Sequence, residues 1–363
     1  MRLFVNKNKI KLSKSLTRLI ALTVIMSSVV TFASGCAAGG KDSRKVLNVY
    51  NVGDYIDESL ISQFEEQTGI QVQYSTYDTN EMMYQKVKSG STKYDLIFPS
   101  DYMVQKMSRE GLLKKINYNN IPNFKYIDKS FVNPMYDPTN EYSVPYMWGT
   151  LGIVYNKKMV KEKVDSWDIL WDKKYSRNLL MFDSVRDTMG IALKKLGYSM
   201  NSTDKDEINA AKGILIKQKP LVLAYVNDDG KDRMIAEEAA MGVFYSGDFS
   251  LMKEENENLE YVIPKGGTNK WTDAICIPQT ADNEDWAEAF INFLCDPKVN
   301  AQNTEYIGYS TPISEGRKLL ADELKNNKAM YPDQDILDKS EAFLDIQAKI
   351  KEYDKAWIEL KSY

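Results

Sequence analysis

An α/β protein of two lobes, the first built on an open and mainly parallel sheet, is predicted by three observations. Short apolar runs alternate with amphipathic helical patterns from residue 46 onward, and the same alternation restarts after a long irregular stretch. The chain has 363 residues with 43% hydrophobic content, enough for two cores.

Val46 to Tyr50 reads as a strand, and Asp57 to Gln67 as a helix with Leu60, Ile61 and Phe64 on one face and Gly69 just past its end. Ile70 to Tyr74 is a second strand, and Asn80 to Ser89 a helix ended by Gly90. Leu96 to Pro99 is a third strand, followed by a helix over Val104 to Glu110 and then Gly111. This β-α-β-α-β order argues for a parallel sheet with helices on both faces. Asn117 to Glu141, rich in Asn, Pro, Asp and Tyr, reads as irregular. Strand-like runs resume within Tyr142 to Tyr155 and recur at Leu179 to Phe182, Leu221 to Val226, Met241 to Tyr245 and Leu259 to Ile263. Helices over Thr188 to Leu196, Lys205 to Lys217 and Lys231 to Glu238 lie between them, which predicts the second lobe. Ala274 to Pro278 is a late strand, Glu284 to Leu294 a helix, and Ile346 to Ile358 a C-terminal packing helix.

The first residues suggest export. Arg2, Lys7, Lys9, Lys11, Lys14 and Arg18 precede an apolar run from Leu19 to Ala33, too short for a comfortable membrane span. Ala33-Ser34-Gly35-Cys36 resembles the lipobox of bacterial lipoproteins, with Ala33 where Leu is usual. That reading makes residues 1–35 a signal peptide, Cys36 the acylated residue, and the small, polar residues 36–45 a flexible tether.

Without the six basic residues of the leader, the 47 Lys and Arg become 41 against 51 acids, a formal charge of −10. Such a surface disfavours nucleic acid and steers cations toward it. There is no histidine, so Ser-His-Asp triads, Cys-His dyads and Cys/His zinc sites are excluded. Neither a GxxxxGK[ST] loop nor a GxGxxG fingerprint occurs, and no cofactor or metal is expected. Asn227-Asp228-Asp229-Gly230 lacks the alternating acids of a calcium loop and reads as a turn. Cys276 and Cys295 fall in apolar runs and read as small core residues, with a disulfide between them the lesser alternative.

Rings and carboxylates recur side by side: Asp54-Tyr55, Asp101-Tyr102, Tyr245 with Asp248, and Trp271-Thr272-Asp273, with Tyr309 as a further ring. An ammonium gains from a carboxylate by charge-assisted hydrogen bonding and from a ring face by cation–π attraction, while methylenes pack on the rings. A linear amine with alkyl spacers fits that chemistry, provided the pairs converge. Asn51 to Tyr55, Ser100 to Tyr102, Asp183 to Asp187 and Tyr245 to Asp248 all follow strands, on the sheet edge where ligands bind in open α/β sheets. Taken singly, Asp101 and Asp187 also suit first-turn helix carboxylates.

From Val46 to Arg317 the chain resembles the spermidine/putrescine-binding proteins of bacterial ABC transporters. The motifs that carry the resemblance are Tyr74-Ser75-Thr76-Tyr77, the run from Tyr94 to Ser100, the run from Tyr142 to Gly149, Lys195 to Ser199, Trp271-Thr272-Asp273 with Ile277-Pro278, and Ile307 to Pro312. The resemblance implies a periplasmic-binding-protein fold of type II: two α/β lobes with a hinge and an interlobe ligand cleft that holds a polyamine lengthwise. It implies a ring wall of Tyr55, Tyr245, Trp271 and Tyr309, with Ser100 and Tyr102 facing it. It also implies acids at Asp54, Asp187 and Asp273, with Ser184 at a position where the family has an acid. This chain departs further at Val52, where the family tends to have a ring, and at Phe343, where it has an amide; Asp183 and Asp248 are neighbouring acids that could make up the lost charge.

The expected organisation is 46–148 for the first part of lobe 1, 149–269 for the first part of lobe 2, 270–320 for the return to lobe 1, and 321–363 for the end of lobe 2. The implied partners are the permease and ATPase subunits of an importer, the ligand putrescine or spermidine, and the membrane through the lipid on Cys36. Another cationic solute (an amino acid, a peptide or an iron complex) would use the same fold. An enzyme using Asp and Tyr as acid and base is the other class, and no nucleophile-base pair supports it.

Overall fold

In the computed structural model, which describes residues 45–363, strand β1 (Val46–Val52) sends Leu47 and Val49 into one core and Tyr50 into another. The period of two along a strand is what feeds both faces of the sheet. Helix α1 (Glu58–Thr68) is capped by Asp57, which accepts the Ser59 N–H, and ends at Gly69 with φ +70°. β2 (Gln71–Tyr77) pairs with β1 in parallel, and α2 (Asn80–Ser89) follows with Thr79 accepting the Met82 N–H. β3 (Leu96–Ile97) completes the parallel order β2-β1-β3 and leads into α3 (Asp101–Arg109). α3 starts three residues before the expected Val104, because its first turn carries no periodic apolar signal until Met103 and Val104.

Residues 117–131 contain only short 3₁₀ turns, in keeping with their composition. β4 (Val144–Asn156) is a single strand of 13 residues, buried along nearly all its length. Its second half joins a sheet with β5 (Leu179–Phe182), β6 (Val222–Val226), β7 (Met241–Tyr245) and β8 (Leu259–Val262), in the order β6-β5-β7-β4-β8. Its first half pairs with β9 (Lys270–Ile275). Antiparallel bridges from Ile97 to Cys276 and from Ser100 to Asp273 set the β9 segment beside β3. β4 therefore runs from the first sheet into the second without a break.

α4 (Val185–Lys195) and α5 (Lys205–Gln218) pack together with the C-terminal helix Ile350–Ser362, around a core that includes Met189, Leu193, Leu215 and Tyr353. The predicted turn at residues 227–230 runs directly into helix α6 (Asp229–Ile235), which takes in Gly230. A Cβ there would lie 2.5 Å from Val226 Cγ2, so the glycine permits the helix to close on β6. Helices α7 (Ser246–Glu255), α8 (Glu284–Leu294) and α9 (Pro297–Ile307) follow; sequence periodicity identified only α8. The predicted late strand is displaced: β9 begins at Lys270 and takes in Trp271 and Asp273. The C-terminal helix begins at Ile350, four residues after the expected start, behind a 3₁₀ turn.

Cys276 and Cys295 are free and buried in separate core clusters, so no disulfide joins them. Among the described residues no helix is long and apolar enough to cross a membrane. The signal peptide 1–35, Cys36 and the tether up to residue 44 lie outside the described residues.

Candidate ligand-binding site

The loop after β1 is shaped by Asn51, which is fully buried. Its Oδ1 accepts the Val52 N–H at 2.8 Å and its Nδ2 donates to the Tyr55 carbonyl at 3.3 Å. Asp54 takes φ +52° at the top of this loop, and Tyr55 turns inward to 5% exposure. The Tyr146 hydroxyl donates to the Tyr55 carbonyl at 2.7 Å, and the Tyr55 hydroxyl donates to Asp273 Oδ2 at 2.8 Å.

Asp273 and Trp271 sit two residues apart on β9 and so share a face. Burial pushes the Asp273 carboxyl up to about 6, against the Ser100 and Tyr55 hydroxyls that favour its anion. Ser100 is held by Asn80 through a reciprocal pair at 3.0 Å, with Asn80 Nδ2 donating to Ser100 Oγ and the Ser100 N–H donating to Asn80 Oδ1.

The rings form a row. Tyr55 meets Tyr309 edge to face at 5.9 Å, Tyr309 meets Trp271 at 5.0 Å, Trp271 meets Tyr245 at 5.9 Å, and Tyr245 meets Phe182 at 5.1 Å. The row starts at the end of β1 and finishes at the ends of β7 and β5, so it bridges the two sheets. Two glycines let it close: a Cβ on Gly149 would lie 2.5 Å from the Trp271 ring, and one on Gly247 would lie 2.3 Å from the Tyr309 ring. The indole Nε1 of Trp271 is buried without a partner.

At the far end of the row Asp187, 4% exposed, accepts the Ser184 hydroxyl at 2.6 Å and the Tyr245 hydroxyl at 3.0 Å, both on Oδ2. Its Oδ1 is buried and unpartnered. Ser184 is the N-cap of α4, and Asp187 lies in the first turn of that helix, where a carboxylate is favoured. Burial raises the Asp187 carboxyl, and Ser184, Tyr245 and Arg186 pull it back. Asp101 likewise lies in the first turn of α3, and it does more than favour the helix dipole. Its carboxylate takes the Tyr102 N–H at 2.7 Å and reaches the Thr272 N–H at 3.3 Å, tying α3 to β9. Burial raises it to about 8.

The fold thus brings together Tyr55, Ser100, Ser184, Asp187, Tyr245, Trp271, Asp273 and Tyr309. Tyr102 lies within electrostatic reach of Asp187, and its hydroxyl donates to Glu81 at 3.0 Å. Asp54 is exposed and accepts no hydrogen bond among the described residues; it lines a recess of about 230 Å³ with Tyr74 and Tyr306. The two acids that could make up the lost charge are already paired, Asp183 with Lys361 at 2.9 Å and Asp248 with Lys231 at 3.5 Å. Sequence reasoning missed Glu81, Arg186 and Tyr146. Glu81 in particular is an ordinary first-turn acid of α2, and nothing local to it signals the Tyr102 contact.

Two α/β lobes joined by continuous strand, with rings and buried acids between them, define a type II periplasmic-binding-protein fold. The chain belongs to the family described as bacterial extracellular solute-binding protein, whose model matches residues 59–332. It is 39% identical over 332 residues to the spermidine/putrescine-binding periplasmic protein of Escherichia coli K12, covering 91% of this chain and 95% of that one. It is 31% identical to a putrescine-binding periplasmic protein of Pseudomonas aeruginosa over 339 residues, 88% of this chain and 92% of the relative. Among solved structures, the substrate-binding protein of a spermidine/putrescine ABC transporter from Streptococcus pneumoniae superposes with a TM-score of 0.82 at 44% identity, over 88% of this chain and 99% of that one. A lipoprotein of Treponema pallidum superposes with a TM-score of 0.80 at 32% identity, over 87% and 99% of the two chains.

Proposed function

We propose that this chain is the extracellular solute-binding component of an ABC importer and captures a linear polyamine, putrescine or spermidine, for delivery to a permease. The observation that carries this reading is a pair of carboxylates, the half-buried Asp273 and the buried Asp187, set on one row of rings. A buried carboxylate is stable only with a countercharge or dense hydrogen bonding, and the orphan Oδ1 of Asp187 has neither. Ammonium groups satisfy such oxygens, and the alkyl spacers between them lie on Tyr55, Trp271, Tyr245 and Tyr309. Each ring contributes about 0.5–2 kcal/mol toward a cation.

In this reading Asp273 takes an inner amine, Asp187 with Ser184 takes one end, and the exposed Asp54 takes an outer ammonium; Ser100 and Tyr102 line the facing wall. Segments 46–148 and 270–320 act as one lobe, and 149–269 with 321–363 as the other. A ligand that contacts both favours the closed form by its differential affinity, and no bond is made or broken. Cys36 carries the lipid that holds the protein at the outer face of the cell membrane. Titration calorimetry with putrescine, cadaverine, spermidine and spermine tests the reading. It predicts heat with putrescine and spermidine at about micromolar concentrations, and their silence, or displacement of spermidine by lysine, arginine or ferric ion, refutes it.

A further inference from the structure

The Asp187 end of the cleft contains a charge that the amine reading does not use. Arg186, the residue before Asp187, packs its guanidinium on the Phe343 ring at 4.5 Å and donates to the Leu344 carbonyl at 3.1 Å and to Asn201 Oδ1 at 2.8 Å. No carboxylate pairs with it among the described residues, and the groups that feel its charge are Tyr353, Asp187, Tyr102 and Asp101. An ammonium arriving at Asp187 therefore also meets the field of an unpaired guanidinium on the preceding residue. Ser184 adds only a hydroxyl there, and Asp183 and Asp248 are paired elsewhere.

Glu81 is the acid that remains. Its position is set by two contacts at the start of α2: Thr79 caps the helix, and Asn80 is clamped to Ser100. The Tyr102 hydroxyl then donates to Glu81 Oε1 at 3.0 Å, and no Lys or Arg of the described residues lies within 4.0 Å of the carboxylate. The facing C-terminal helix presents Asp354, whose carboxyl is raised by burial and by Glu81. Glu81 and Asp354 thus place two acids near the Tyr102 hydroxyl, and Tyr102 is in turn within electrostatic reach of Asp187.

We propose that Glu81 is a specificity-determining acid: held on the Tyr102 hydroxyl, its carboxylate adds negative charge beside the Asp187 end of the cleft and so sets the affinity for a terminal ammonium there. This rests on the polyamine reading of the cleft. The alternative is that Glu81 only favours the α2 dipole and orients Tyr102.

Glu81→Gln separates the two, because the amide oxygen still accepts from Tyr102 while the charge is gone. Calorimetry with spermidine is expected to show about fivefold weaker binding at about 50 mM salt, with the loss shrinking at about 500 mM, and an unchanged melting temperature without ligand. Glu81→Asp, which keeps the charge, recovers part of the affinity. Binding of Glu81→Gln within about twofold of the wild type while Asp187→Asn loses binding overturns the role of Glu81 and leaves the cleft assignment standing; a loss equal at both salt concentrations overturns its electrostatic basis. Wild-type affinity in both Asp187→Asn and Asp273→Asn overturns the polyamine reading itself, and this proposal with it.

Discussion

The Tyr55 hydroxyl donates to Asp273 Oδ2 at 2.8 Å, linking residues 218 positions apart at the β1 end of the ring row. The bond holds a half-buried carboxylate and favours its anion. Asp273→Asn removes the charge and leaves a buried ammonium without its partner, so spermidine affinity should fall by at least about tenfold. Tyr55→Phe deletes one hydrogen bond to the anion and should cost about fivefold. Calorimetry on both variants gives the ratio; equal, small losses would make Asp273 a structural residue.

Affinity should also depend on pH in a defined direction. Asp273 is pushed up to about 6 by burial, and only its anion pairs with an ammonium. Binding should be level above about pH 7 and weaken toward tenfold per unit below 6. The sign for stability is opposite. A folded-state value above the ordinary carboxylate value of 3.8 means that the ligand-free fold holds this proton more firmly than the unfolded chain. The group's contribution to stability therefore rises as pH falls from about 6 toward 3.8, while the ligand-induced rise in melting temperature shrinks. Asp273→Asn should flatten the binding profile, and an unaltered profile in that variant assigns the titration elsewhere.

Gly149 lies where β4 passes beneath Trp271, and a Cβ would stand 2.5 Å from the ring. Gly149→Ala must displace the indole, with a stability cost of about 1–3 kcal/mol for the overpacking. Loss of spermidine affinity beyond the loss of stability, read by thermal shift with and without ligand, would identify the ring position as part of the site.

Away from the rings, α3 is joined to the segment before the C-terminal helix. Arg109 pairs with Asp345, whose N–H donates to Gln105 Oε1 at 2.8 Å. The pair is partly exposed, so Arg109→Ala should lower spermidine affinity no more than about fivefold, through faster release. Stopped-flow dissociation would show it; an unchanged off-rate means the contact does not hold the cleft shut.

Cys36→Ser should move the protein from the membrane fraction to the soluble one if the lipid is the anchor. Retention in the membrane after that change would refute acylation at Cys36.

Much of the fold could be read along the chain. The strands at Leu179–Phe182 and Met241–Tyr245 and the helices at Asn80–Ser89 and Glu284–Leu294 follow from local periodicity, because apolar spacing and end signals such as Gly90 act within a few residues. That Trp271 and Asp273 share a face is not legible in local pattern, because the apolar run marks a strand only from Ala274 whereas β9 begins at Lys270. The role of β4 could not be read: a run buried on all sides carries no period that marks where it leaves one sheet for the other. The helix α9 escaped for a different reason: its buried face is formed largely by Asn300, Asn303 and Thr304, which carry no apolar period.

The sequence by itself determined the residue chemistry: rings and carboxylates following strands, no histidine, and an acidic surface. Tertiary structure alone decided which of them are partners. The neighbours Asp54 and Tyr55 separate, the acid to solvent and the ring to Asp273, while Asp183 and Asp248 are spent on lysines and Glu81 arrives from another helix. Charge pairing depends on distance and burial in space, and a turn of one residue at φ +52° is enough to send adjacent side chains to different environments.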